Sequence, residues 1–142
     1  RDKLQSLTRK LGISNKVEFP GYVNDFGSHI IDASLFVLSS NYEGMPNALM
    51  EAMALGLPCV STDCPVGGPR YLIQEGVNGL IIERNNPKEL ETAISKVLSN
   101  KELAIKLGNN AKKISQDLNH VKIYNKWESY ILEHVEVNGI KE

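Results

Sequence analysis

Cysteine is scarce. Cys59 and Cys64 are the whole complement, too few for a disulfide framework, and no secretory hydrophobic segment is visible, so a reducing cytosolic setting is the simpler expectation. Long apolar runs are missing as well: none approaches the roughly 20 residues that a membrane helix needs, although contact with a membrane surface stays open. A formal net charge of -1 removes any electrostatic case for nucleic acid as a partner. The phosphate loop G-x-x-x-x-G-K-S/T, the dinucleotide fingerprint G-x-G-x-x-G and the nucleophile elbow G-x-S-x-G are all absent. His29, His120 and His134 are scattered, and none pairs with a cysteine at metal-ligand spacing. Cys59 and Cys64 straddle the end of an expected strand and read as two structural thiols.

What is present is an ordinary globular composition, 42% hydrophobic and 23% charged over 142 residues, enough for one domain, 1–142, with one core. The chain opens at Arg1, and Leu4, Leu7 and Leu11 are already spaced like a helix face. It reads as beginning inside a larger protein. A helix over 2–11 is stopped by Gly12. Val17-Glu18-Phe19 alternates into Pro20-Gly21 and predicts a first short strand. Leu35-Phe36-Val37-Leu38 is a continuous apolar run, as in a strand buried on both faces. Further strands are expected at Cys59-Val60-Ser61, with Pro58 at its first position, and at Leu80-Ile81-Ile82 after an Asn78-Gly79 turn. Helices at 24–33, 47–55 and 69–75 alternate with them. That order predicts an α/β fold, a Rossmann-like parallel sheet with helices on both faces.

A helical tail follows over about 86–136. Pro87 sits at a first helical position and Glu89 is placed to reach back. Leu90, Ala93, Ile94, Val97 and Leu98 mark one buried face. Ser99 to Glu102 opens a second helix along Leu103, Leu107, Ala111 and Ile114. A third aligns Val121, Tyr124, Trp127 and Ile131, with the Tyr124/Trp127 stripe expected in the core. The last few residues read as frayed.

The chemistry concentrates between Ser39 and Gly56, where the chain leaves a strand's carboxyl end, crosses a loop and enters a helix; ligands of open α/β sheets gather at that edge. Pro46 fits the first helical position, with Asn47 and Ala48 completing the turn. Gly44 and Met45 offer no capping side chain, so the helix start keeps free N–H donors and a positive dipole end, which suits a phosphate. Glu51 lies in a helix that is apolar nearly all round (Ala48, Leu49, Met50, Ala52, Met53, Ala54, Leu55). A buried carboxylate there needs a partner; adjacent ribose hydroxyls would serve, and so would a structural arginine or backbone amide. Glu43 stands in the preceding loop, either as a solvated acid or as the group that meets the far end of a ligand. A second loop, Asp63 to Arg70, contains Gly67-Gly68 and Pro69. Its glycines are equally readable as a structural turn or as a close approach to a ligand, and Arg70 as a phosphate contact or as a surface or packing residue.

Glu43 and Glu51 form the E-x7-E pattern EGMPNALME. Together with Val17-Glu18-Phe19-Pro20-Gly21-Tyr22-Val23, the Ala52 to Pro58 run, the Gly-Gly-Pro loop and Asn78-Gly79-Leu80, it resembles the C-terminal domain of retaining glycosyltransferases of family 4 (glycosyl transferases group 1, GT-B type). The likeness runs from about Lys16 to about Ile131. It implies one half of a GT-B fold lacking its first strand or strands, with a nucleotide-diphosphate-sugar donor, UDP-sugar being the commonest class, and no required metal or other cofactor. In the family's manner, Glu43 would hydrogen-bond sugar hydroxyls, the backbone of Gly44, Met45, Pro46, Asn47 and Ala48 would meet sugar or phosphate, and Glu51 would hold the ribose. Phe19, Gly21, Tyr22 and Val23 would border the base. The family's basic Arg/Lys pair and its acceptor-binding N-terminal domain are expected upstream of Arg1. Without that positive charge the leaving diphosphate is poorly stabilised, so the fragment is expected to be inert while the parent is a hexosyl-type transferase. Its acceptor would be a surface glycan or lipid-linked glycan at the cytoplasmic membrane face. The alternatives are a non-catalytic nucleotide-sugar-binding module and, less well supported, an epimerase of such sugars.

Overall fold

The computed structural model describes residues 1–137, without the side chains of Glu136 and Val137; the chain end read as frayed lies outside the described residues. Three parallel strands, β1 (Phe36–Leu38), β2 (Cys59–Thr62) and β3 (Leu80–Ile82), lie in the order β1-β2-β3. Between them run α3 (Asn47–Ala54) and α4 (Gly68–Leu72), preceded by α1 (Asp2–Lys10) and α2 (Phe26–Ile30). After β3 come α5 (Pro87–Leu98), α6 (Lys101–Ala111), α7 (Ile114–Asp117) and α8 (His120–Val137).

The register explains why helices cover both faces. Pairing of Phe36 with Cys59 and of Leu38 with Ser61, and of Ser61 with Ile81, puts these side chains on one face, because successive residues alternate. There Leu49, Ala52 and Met53 of α3 join Leu72, Ile73, Ala111 and Ile114 in one core cluster. The opposite face offers Val60, Leu80 and Ile82, and α5 covers it with Ala93 and Val97. Helix α6 links the two clusters, giving Leu107 to one and Ala111 to the other. It passes so close to the turn before β2 that a Cβ on Gly108 would collide with Gly56 O and stand 3.3 Å from Gly56 C. That turn leads into the amino end of β2, and the carboxyl edge of the sheet is left to loops.

Several sequence expectations change. Val17–Phe19 is not a strand: Val17 has extended dihedrals of φ -127 and ψ 123, but none of the described residues pairs with the segment, and an extended segment without a ladder partner does not make a strand. Leu35 and β1 are only half-buried, because β1 is an edge strand here; β2, in the centre, is buried throughout. Pro46 is the residue before α3 rather than its first. Leu98 is exposed, so the buried face of α5 narrows to Ala93 and Val97 with Leu90 and Ile94 half-buried. The capping residue of α6 is Asn100, whose Oδ1 accepts from Leu103 N at 3.0 Å, rather than Ser99. The Tyr124/Trp127 stripe is the largest reversal. Val121, Tyr124, Trp127 and Ile131 are all exposed, Tyr124 at 64% and Trp127 at 61%, so α8 carries a wide apolar face that the described residues do not cover.

Candidate functional site

Loops from the three strands converge at the carboxyl edge. The Thr62 hydroxyl, at the end of β2, donates to Ser40 O at 2.5 Å and so fixes the main chain just past β1. Three residues on, Glu43 N donates to Pro65 O and Val66 N donates to Glu43 O, both at 2.8 Å, an isolated parallel bridge that ties the loops after β1 and β2 together. Arg84, after β3, donates through Nη1 to Asn41 O at 3.2 Å. A cavity of about 220 Å³ opens beside these loops, lined by Ser39, Asn41, Thr62, Glu83 and Asn85 among others.

Within this frame Glu43 is half-buried, and its Oε1 accepts a 2.7 Å hydrogen bond from the Ser40 hydroxyl. The chain then passes the exposed Gly44 and Met45 and the buried Pro46 into α3. Pro46 caps the helix with no side-chain hydrogen bond, and Leu49 N and Met50 N both donate to Pro46 O at 3.1 Å. No acceptor among the described residues serves the N–H groups of Asn47 and Ala48. The expected uncapped start is therefore observed, one residue later than expected.

Glu51 departs from expectation. It is exposed, because α3 is not buried all round: Leu49, Ala52 and Met53 face the core, while Asn47 and Glu51, four apart, share the solvent side. Burial therefore does not demand a partner for Glu51, which lies one turn, about 6 Å along the axis, beyond the open N–H groups. Phe19 and Val23 are half-buried, Gly21 and Tyr22 exposed, Tyr22 at 91%. Phe19 O accepts from Arg1 Nη2 at 2.8 Å, and Gly21 has φ +77. No hydrogen bond among the described residues joins this segment to Glu43–Glu51; the link runs through α2, which packs on α3.

The open questions of the second loop resolve structurally. Gly67 has φ +98, the left-handed region that favours glycine. A Cβ on Gly68 would collide with Gly44 O and sit 2.8 Å from Gly44 C and 3.0 Å from Pro46 Cδ, so the space that glycine vacates is filled by the loop that carries Glu43. Arg70 pairs with Asp63 through two hydrogen bonds, one of them Nε to Oδ1 at 3.0 Å. That guanidinium holds the Asp63 carboxyl below its ordinary range, by the hydrogen bond first and by charge second, and Arg70 is raised in turn. Both cysteines are buried and free, and burial pushes the Cys59 thiol up to about 12, which leaves it unreactive. Among the described residues no cluster of His, Cys, Asp and Glu could hold a metal, and no helix is long and apolar enough to cross a membrane.

Ser40 and Thr62 were missed by sequence reasoning. Serine three residues before an acid is a local hydrogen-bonding pattern that could have flagged Ser40. Nothing local flags Thr62, whose partner is 22 residues away.

A parallel α/β domain that presents an acid and an open helix start at its carboxyl edge has the geometry with which such folds can accept a phosphate-bearing ligand. Residues 1–114 match the model of the family described as glycosyl transferases group 1, and the chain belongs to that family. It is 30% identical over 130 residues to an uncharacterized glycosyltransferase of Haemophilus influenzae, covering 92% of this chain and 36% of that protein. A lipopolysaccharide core biosynthesis glycosyltransferase, LpsE of Rhizobium meliloti, is 32% identical over 107 residues, 75% of this chain and 31% of its own length. Among solved structures, Anabaena HepE in complex with UDP superposes with a TM-score of 0.87 at 25% identity, over 93% of this chain and 36% of HepE. The fold is thus that of one half of a GT-B glycosyltransferase, and the chain spans about a third of the length of these relatives.

Proposed function

We propose that this chain is the donor-binding part of a retaining, family 4 glycosyltransferase that moves a hexosyl group from a nucleotide-diphosphate sugar to a glycan or lipid-linked acceptor. The observation that carries the reading is Glu43, half-buried and hydrogen-bonded, at the mouth of an uncapped helix. An anionic diphosphate seats against the Asn47 and Ala48 N–H groups, where the helix dipole favours negative charge. The sugar lies toward Glu43, whose carboxylate accepts from its hydroxyls, and the ribose lies along the solvent side of α3 toward Glu51. Gly44 and Met45 contribute backbone to the sugar-phosphate contact, and Phe19, Gly21, Tyr22 and Val23 border the base. UDP is favoured as the nucleotide because HepE, similar over most of the chain, was crystallised with UDP and with UDP-glucose. LpsE, by its description a core-biosynthesis enzyme, supports an acceptor of the surface-glycan kind, at the cytoplasmic membrane face. No metal has a role in this scheme: the positive end of the α3 dipole faces the diphosphate, and by itself the chain does not turn over.

The test uses the full-length protein. Glu43→Ala is expected to lower sugar transfer from UDP-glucose by about 100-fold or more, since it removes positioning at the reacting sugar; ordinary transfer rates in that variant would overturn the assignment. A second reading, a nucleotide-sugar-binding module without chemistry, is favoured by one observation: Arg70, the arginine of the second loop, is paired with Asp63 rather than left for a phosphate. Sustained turnover by the full-length protein removes it.

A further inference from the structure

Within the proposed donor site, on which this inference rests, Glu43 is not free to choose its direction. Its loop is pinned on both sides of the main chain by the bridge to Val66, and the backbone one residue on, at Gly44, is packed against Gly68. Among the described residues, the one side-chain hydrogen bond to the carboxylate comes from Ser40 Oγ at 2.7 Å. Ser40 is itself held: Thr62 Oγ1 donates to its carbonyl at 2.5 Å, and the residue is half-buried. Hydrogen bonds from a hydroxyl to an ionised carboxylate are among the stronger ones, and a glutamate freed from such a bond regains side-chain torsions that cost entropy to fix again. A carboxylate that has one oxygen occupied by Ser40 presents the other in a fixed direction to a ligand.

We propose that Ser40 is a positioning residue for Glu43: it aims the carboxylate at the donor sugar while touching neither sugar nor phosphate itself. Thr62 sets Ser40, so the aim is dictated from the central strand of the sheet. A merely structural Ser40 would disturb the whole loop, including the N–H groups of Asn47 and Ala48, and would weaken UDP and UDP-sugar alike. A positioning Ser40 affects only the part of the affinity that the sugar adds.

The experiment is calorimetric titration of the full-length protein with UDP and with UDP-glucose, reading the ratio of the two affinities. In Ser40→Ala the ratio is expected to fall about 10-fold, with UDP affinity unchanged; Ser40→Thr, which keeps the hydroxyl, restores it. In a Glu43→Ala background, Ser40→Ala should add nothing further, since the residue acts through Glu43. An unchanged ratio in Ser40→Ala, an equal loss for UDP, or a full second loss in the Glu43→Ala background each overturns the proposal. If Glu43→Ala alone leaves the wild-type ratio intact, or the wild type shows no sugar increment at all, the donor-site reading fails, an outcome distinct from failure of Ser40 alone.

Discussion

Helix α3 sends Leu49, Ala52 and Met53 into the core with no residual exposure, whereas α8 leaves Tyr124, Trp127, Tyr130 and Ile131 more than half exposed. In sequence the two segments invite the same reading, an apolar helix for the interior. They end differently because α3 is held between two strands: it joins β1 to β2 and must lie on the sheet. Helix α8 follows the last strand by three helices, and none of the described residues supplies a surface for its apolar face. Periodicity establishes that a helix has a face to cover; connectivity decides what covers it.

That contrast can be broken at graded cost. The largest effect is expected for Gly68→Ala. The added methyl must displace the Gly44 backbone, and a loss of about 3 kcal/mol or more in urea unfolding is expected, together with loss of UDP binding in the full-length protein. Met53→Ala, at a fully buried position on α3, should cost about 3 kcal/mol. Thr62→Val keeps the volume but removes the donor to Ser40 O, and about 1 kcal/mol is expected. Trp127→Ala on α8 should change the stability of this chain by only about 0.5 kcal/mol, a difference from Met53→Ala that unfolding curves resolve easily; equal losses would mean that α8 is packed after all.

The smallest effect is electrostatic. Arg70 depresses the Asp63 carboxyl below its ordinary 3.8. A carboxyl lowered in the folded state contributes stability above pH 3.8 and loses it as pH falls below that value, through its folded pKa. The pair is largely solvent-exposed, so the effect is small. Asp63→Asn should therefore show a slightly shallower fall in melting temperature below pH 3.8 than the wild type, and no other difference in slope.

Much of the fold was legible because strand and helix alternate with clear punctuation. Pro58 before β2, Gly79 before β3 and Pro87 at the start of α5 each stand where backbone chemistry asks for them. Asn86 Oδ1 does accept from Glu89 N at 3.1 Å, and Glu89 reaches back to Asn86 Nδ2 at 3.2 Å. Val17–Phe19 was misread because alternation alone cannot tell a strand from an extended segment that has no neighbour. In the candidate site, the uncapped helix start was legible from Gly44, Met45 and Pro46, since a missing cap is a local fact. The exposure of Glu51 was not, because it depends on which side of α3 meets the sheet.

Sequence alone determined the order of elements, the open N–H groups in the first turn of α3 and the placement of two acids around them, since each follows from residue type and spacing along the chain. Tertiary structure alone decided that Gly68 must be glycine, that Arg70 belongs to Asp63, and that Thr62 hydrogen-bonds the main chain of Ser40, whose hydroxyl meets Glu43. Those outcomes depend on loops from different strands meeting at one edge of the sheet, and the distance across that edge is written in no single segment.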